Sequence, residues 1–254
     1  MNIVIITGAS SGIGREFARR MDLSFDSIDE FWLVARSEDK LKNLASNMRH
    51  ETRIFPMDIT DDKELEELEY EVEFRNATVC MLINCAGYGL MGEFSKVDRK
   101  EETGMVRLNC EALTNITHRM IPYMKRGSRI IQMASCAAFL PQADFAVYAA
   151  TKAYVLRFSQ ALGEELRSKG IYVTSVCPGP VDTPFFDIAE RYGKTLALKK
   201  KAIVRPDQVV KQALYDSLHK KSKSVYSLPI KSVEFLSKML PHDFILFILR
   251  RMKK

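Results

Sequence analysis

The chain has little of what several protein classes require. Its five cysteines are odd in number, and the nearest pair, Cys80 and Cys85, lacks CxxC spacing. A disulfide framework is therefore excluded, and reduced, partly buried thiols are expected. Four scattered histidines and no HExxH leave no recognisable zinc site, so no metal is expected. No window reaches the roughly 18 uninterrupted apolar residues of a membrane-spanning helix. The opening Met1-Asn2-Ile3-Val4 shows neither a basic leader nor a signal segment, which predicts a cytoplasmic protein. Twelve glycines and nine prolines are too few for a collagenous or low-complexity chain.

What is present fits one substantial domain of 254 residues, 1–254, with a large enough core to need no staple. The net charge of +6 is unevenly placed. Residues 194–254 hold 15 basic and 4 acidic side chains, while residues 1–193 hold 23 basic and 28 acidic ones. That distribution, without any reader motif, argues against a nucleic-acid partner.

Short apolar runs at 2–7, 31–35, 53–57, 79–83, 129–134, 171–177 and 224–228 read as strands. Most lack the polar alternation of a half-exposed strand, which predicts a parallel sheet covered on both faces. Helical patterns alternate with them at 13–24, 38–49, 61–75, 99–125, 148–168 and 207–221. Asp61 is placed to cap the third helix, with Glu64 in the capping-box position, and Gly170 stands where the helix over 148–168 should stop. The alternation predicts an α/β fold: a single doubly wound Rossmann-type domain with a seven-stranded parallel sheet and a C-terminal helical extension. Residues 179–205 form the one long connection after a strand and are a candidate substrate lid.

The first strand runs into Thr7-Gly8-Ala9-Ser10-Ser11-Gly12-Ile13-Gly14. Glycines at 8, 12 and 14 let the backbone turn tightly, bring helix to sheet and leave amides open to a diphosphate. The GxxxGxG spacing differs from GxGxxG and lacks the Gly-Lys-Ser/Thr of a triphosphate loop. The second strand ends at Arg36, with no acidic residue at 34–37. An acidic side chain there takes the ribose hydroxyls of NAD, whereas arginine accommodates a 2′-phosphate, so the cofactor expected is NADP(H). Asp58 is placed to accept from an adenine amino group and Ile59 to pack on the ring; an ordinary aspartate approaching a helix is the alternative. Asn84-Cys85-Ala86-Gly87 after the fourth strand would let a cofactor cross the sheet crevice.

Tyr148 and Lys152 lie four apart and share a helix face. An ammonium beside the phenol favours the phenolate and would lower a reference pKa of about 10 toward a useful range. Ser135, at the end of the fifth strand, would hold a substrate carbonyl. Asn109 is a costly choice inside a helix unless its amide organises a water or a backbone carbonyl.

Together these motifs resemble the short-chain dehydrogenase/reductase family over at least residues 2–228. The resemblance implies an NADP(H)-dependent oxidoreductase in which hydride passes between nicotinamide and a carbonyl carbon while Tyr148 exchanges the proton. It implies Asn109 holding a water beside the lysine, Ser135 stabilising the reacting oxygen, and Lys152 binding the nicotinamide ribose while lowering the tyrosine pKa. Pro178-Gly179 matches the turn near the nicotinamide, and Val181 and Thr183 match positions contacting its carboxamide. Cys85 departs from a second asparagine common in the family, which should alter packing rather than chemistry. The resemblance further implies a homodimer or homotetramer paired through the 99–125 and 148–168 helices.

The expected pocket wall is mostly apolar: Tyr88, Leu90, Met91, Ala137, Phe139, Leu140 and Gln142, covered by Phe185, Phe186 and Ala189. That favours a hydrophobic ketone, aldehyde or secondary alcohol, with a 3-oxoacyl thioester or steroid-like substrate as alternatives. A dinucleotide-binding regulator without turnover is the competing class, against which stand the four residues Asn109, Ser135, Tyr148 and Lys152. In the extension 231–254, the run Phe244–Leu249 is followed by Arg250, Arg251, Lys253 and Lys254. Its expected role is to cover the pocket or a neighbouring subunit, with peripheral membrane contact through 241–254 as the alternative.

Overall fold

The computed structural model describes residues 1–193 and 203–252. Seven strands, β1 (Asn2–Thr7), β2 (Glu30–Ala35), β3 (Glu51–Pro56), β4 (Thr78–Asn84), β5 (Arg129–Met133), β6 (Tyr172–Val176) and β7 (Lys223–Ser224), form one sheet. Every pairing is parallel and the order is β3-β2-β1-β4-β5-β6-β7. The order reverses at β1, so a crevice opens at the carboxyl ends of β1 and β4, where Thr7 pairs with Asn84.

The apolar strand runs serve both faces by parity. Ile3 and Ile5 join a core with Trp32, Val34, Leu65 and Leu68, whereas Val4 and Ile6 join one with Phe17, Met21, Leu41 and Val210. Helices α1 (Gly12–Ser24), α2 (Glu38–Ala45) and α8 (Pro206–Leu218) cover the second face. Helices α3 (Asp62–Phe74), α5 (Leu113–Met120) and α6 (Ala146–Arg167) cover the first. This is the doubly wound α/β arrangement that the continuous apolar runs predict.

Several boundaries differ from expectation for local reasons. The helix expected over 38–49 stops at Ala45, because Ser46 Oγ and Asn47 Nδ2 donate back to Asn43 O and Asp22 captures the amides of Arg49 and His50. Asp61 caps α3 through Lys63 N at 2.9 Å, but Glu64 accepts from Asp58 N instead of closing a capping box. The helix expected over 99–125 is three pieces: α4 (Arg99–Val106), a π-helical stretch Arg107–Ala112, and α5, which tightens to a 3₁₀ turn at Ile121–Tyr123. Gly170, at φ +73°, takes the left-handed turn after α6.

The strand expected at 224–228 is only Lys223–Ser224. Val225 enters the core, Ser227 is left-handed at φ +76°, and Pro229 opens the helix α9 (Leu228–Met239). A last helix, α10, covers His242–Met252. The expected helical extension is therefore two helices, and no described helix is long and apolar enough to cross a membrane. Part of the lid expected at 179–205 lies outside the described residues. Its described portion carries the short helix α7 (Phe185–Ala189) and a parallel bridge between Val181 and Val204.

Candidate active site

The glycines after β1 are set by close approach. Gly8 and Gly12 have φ of +67° and +53°, where glycine alone is unstrained. A Cβ on Gly8 would lie 2.8 Å from Ala86 N, and one on Gly14 would strike Gly8 O. Ser11 is extended at the start of α1, whose first turn carries no acidic side chain, and Ser10, Gly12 and Ile13 are only partly covered. An anion fits such an open positive helix end. Thr183 of the lid approaches this loop, 3.3 Å from where a Gly12 Cβ would stand, and its hydroxyl donates to Val181 O.

Around the loop, Arg36 is exposed just past β2 and has no acidic partner among the described residues. Asp58 Oδ1 accepts from the amide and hydroxyl of Thr60, fixing the turn after β3. Ile59 is buried with Leu65 and Leu68, so only a small edge is open to a ring. Asn84 is also interior. Its amide donates to Thr117 Oγ and Gln132 Oε1, both at 3.0 Å, so any support it gives a ligand passes through the strand end it holds. Ala86 N donates to Thr7 Oγ. Cys85 is packed against Gly14, and burial pushes its thiol up, which fits a packing role.

The structure brings Asn109, Ser135, Tyr148 and Lys152 into one buried cluster beside that crevice. Ser135 sits just past β5 and caps a short 3₁₀ turn, Cys136–Phe139, by accepting from Ala137 N at 3.1 Å. Its hydroxyl faces the Tyr148 phenol and opposes the rise of that group's pKa, as a donor to the phenol oxygen does. Lys152, one turn along α6, holds Nζ 5.7 Å from the centre of the Tyr148 ring and donates to Met133 O at 2.7 Å. Asn109 lies in the π-helical stretch. Its Nδ2 donates to Tyr88 O and Thr151 Oγ, and its Oδ1 accepts from Tyr88 N. The backbone-organising role expected of this asparagine is thus present. Gly87 passes close by: a Cβ there would be 2.8 Å from Asn109 Oδ1 and 3.5 Å from Lys152 Nζ.

One electrostatic expectation is reversed. Burial pushes the Tyr148 phenol well above its ordinary 10, with Cys136 adding to the rise and the Ser135 hydrogen bond only opposing it. Lys152 is not among the groups that act on the phenol, and its own ammonium is pulled down to about 8 by burial, against the opposing influence of Cys110, Cys85 and Cys177. The neutral phenol is therefore the resting form at pH 7.

The pocket wall is also partly redrawn. Leu90, Met91, Ala137 and Ala189 do cluster around Tyr148, with Tyr88, Phe185 and Phe186 against them. Phe139 and Leu140 do not, since the 3₁₀ turn carries them into a separate core with Leu113 and Val155. Three features were missed. Phe145 stacks on Tyr148 at 4.3 Å between ring centres, opposite Phe185, which was expected over the pocket and meets the same ring at 5.5 Å. Gly89 faces the Tyr148 ring so closely that a Cβ would be 2.5 Å from Cδ2. Glu101 of α4 fastens the lid, accepting from Arg191 and Tyr192, each at 2.8 Å, while its carbonyl accepts from the Tyr88 hydroxyl. Phe145, three residues before Tyr148 on the same helical approach, was the signal available in the sequence.

Pro178 and Gly179 follow β6 beside this cluster. Pro178 O accepts from Cys136 N, and a Cβ on Gly179 would meet Ile230 of α9 at 2.9 Å. Val181 is buried and bridged to Val204, which holds the root of the lid.

A fold of this order, with a glycine loop at the reversal point and a Tyr–Lys pair beside it, defines a dinucleotide-linked oxidoreductase. The family model for short chain dehydrogenase matches residues 2–191, and the chain belongs to that family. It is 33% identical over 191 residues to sulfoacetaldehyde reductase 2 of Chromohalobacter salexigens, covering 72% of this chain and 74% of that one. A short-chain dehydrogenase from Sphingobium yanoikuyae in complex with NADPH superposes with a TM-score of 0.79 at 29% identity, covering 90% of this chain and 89% of the other. The bulky-bulky ketone specific alcohol dehydrogenase from Comamonas testosteroni superposes with a TM-score of 0.75 at 25% identity, covering 94% and 92%.

Proposed function

We propose that the protein is an NADP(H)-dependent carbonyl reductase, or alcohol dehydrogenase in reverse, acting on a hydrophobic ketone or aldehyde. The observation that carries this reading is the buried Ser135–Tyr148–Lys152 cluster opening onto the glycine-loop crevice.

The residues present fit the cofactor. Amides at the start of α1 would bind its diphosphate, with Gly8, Gly12 and Gly14 leaving room and Ser10, Ser11 and Ile13 lining the loop. Arg36 would pair with a 2′-phosphate, and Asp58 and Ile59 would border the adenine. Asn84, Ala86 and Gly87 would floor the crevice. Pro178, Gly179, Val181 and Thr183 would border the nicotinamide, and Tyr148 and Lys152 its ribose. When bound, the reduced cofactor supplies a hydride to the carbonyl carbon.

The protein's own part is proton transfer and polarisation. Ser135, whose oxygen already accepts from Ala137 N, donates toward the substrate oxygen. Tyr148, held neutral by burial, delivers its proton to that oxygen as negative charge develops there. Lys152 Nζ, 5.7 Å from the centre of the Tyr148 ring, would leave a cation near the phenolate so formed. Asn109 pins the Tyr88 backbone and, through Thr151, the turn of α6 that carries Tyr148. Phe145 and Phe185 hold the phenol ring and exclude water.

The wall around Tyr148 is apolar, as a hydrophobic substrate requires, and the ketone specificity named for the Comamonas relative supports that class. Exposed Val106 and Tyr154, on the helices α4 and α6, support pairing of copies through that side. The direct test is oxidation of NADPH with a panel of apolar ketones and aldehydes. Turnover is expected, and tight NADPH binding without turnover of any of them would contradict the reading. Arg36→Asp should weaken NADPH about tenfold to a hundredfold, as loss of a charged hydrogen bond does, while NADH binding changes little.

A further inference from the structure

Helix α9 is built the wrong way round for a helix that only covers a core. Its half-buried stripe runs through Ile230, Glu234 and Ser237, and it carries its single carboxylate inward, where Glu234 meets Lys223 and Lys238. Its solvent side carries Leu228, Phe235, Leu236 and Met239, with Leu228 77% and Phe235 63% exposed. An ordinary amphipathic surface helix has the opposite polarity. Helix α10 repeats the feature, with Phe244 and Phe247 one turn apart and both exposed. Arg251 lies over the Phe247 ring at 4.6 Å, so a cation stands at the edge of the apolar patch.

We propose that α9 and α10 form a face by which the enzyme lies on an anionic lipid bilayer. The charge of the segment selects this occupant. Residues 228–254 contain six basic side chains and two acidic ones, and one of the two acids is Glu234, which is turned inward. Lys231, on the same helix, has no acidic partner among the described residues; it lines a cleft in which Lys221 pairs with Asp216, and Lys223 and Lys238 with Glu234, so it is the cation left over there. A second copy paired symmetrically through this face would set like charge against like. A bilayer with anionic headgroups meets both the apolar side chains and the cations. At 11 residues, α10 is about 16 Å long, half the roughly 30 Å of a hydrocarbon core, so it lies in the surface and does not cross it. Ile230 seats this face on the Gly179 turn and on the core that holds Phe139 and Leu140.

The test is co-sedimentation of the full chain with vesicles of phosphatidylglycerol and phosphatidylcholine, compared with phosphatidylcholine alone. Binding to the anionic vesicles is expected, weakened at least about tenfold without phosphatidylglycerol. The triple variant Phe235→Ser, Phe244→Ser, Phe247→Ser should lose at least about tenfold in vesicle binding while keeping NADPH affinity. Lys231→Glu with Arg251→Glu, which leaves the apolar side chains intact, should weaken binding to anionic vesicles alone. No binding to anionic vesicles, or equal binding by wild type and both variants, would overturn the proposal. So would a wild-type dimer that the triple variant breaks without any vesicle binding, since the face would then belong to a second copy.

Discussion

Lys152 Nζ donates to the carbonyl oxygen of Met133 at 2.7 Å from a position almost closed to solvent. The bond ties α6 to the end of β5, two residues before Ser135, so one ammonium sets the distance between the two hydroxyl-bearing elements of the site. It does so at a cost, because burial lowers the ammonium from 10.5 to about 8.

That cost has a signature in stability. Below about pH 8 the folded and unfolded chains both carry the proton, and the full penalty of the buried charge is present. Between about 8 and 10.5 the unfolded chain holds more protons than the folded one, so stability rises with pH. Relative to Lys152→Met, the wild type should gain roughly 3 kcal/mol across that window. Denaturant melts of both proteins at several pH values check it, and a difference independent of pH would contradict the burial of a charged lysine.

Gly89 leaves no room for a side chain beside the Tyr148 ring, where a Cβ would stand 2.5 Å from Cδ2. Gly89→Ala should therefore displace the phenol and lower kcat about a hundredfold with little change in NADPH affinity. Steady-state kinetics and cofactor titration separate the two effects; unaltered kcat would show that the ring position is not critical.

Among the described residues the lid is fastened to α4 by Glu101, through Arg191 and Tyr192. These groups are partly exposed, so the pair of contacts is a modest hold. Glu101→Ala should raise KM about threefold to fivefold and leave kcat nearly unchanged. An unchanged KM would mean that the lid closes without this contact.

Most of the fold was legible because its signals are local. Ile3 to Ile6 are apolar on both parities, which only a sheet covered on both faces explains, and Gly8, Gly12 and Gly14 mark a turn that a Cβ would block. The Tyr148–Lys152 spacing on one helix was legible for the same reason. What was not legible depends on distant partners. Glu101 and Arg191 are 90 residues apart, and nothing near either announces the other. The π-helical stretch at Arg107–Ala112 interrupts a good helical pattern to aim Asn109 at Tyr88, and the polar residue itself was its single trace. The direction of the Tyr148 shift escaped because neighbouring charge is visible in a sequence, whereas the depth of burial that outweighs it is not.

In the proposed reaction Tyr148 carries the proton to the substrate oxygen. The decisive measurement is NADPH oxidation with a turned-over ketone for the wild type and Tyr148→Phe, alongside NADPH binding by each. Phenylalanine keeps the ring against Phe145 and Phe185 and removes only the hydroxyl. Cofactor affinity close to wild type and a loss of about a hundredfold to ten-thousandfold in kcat are expected. A Tyr148→Phe protein that turns over at the wild-type rate would contradict it.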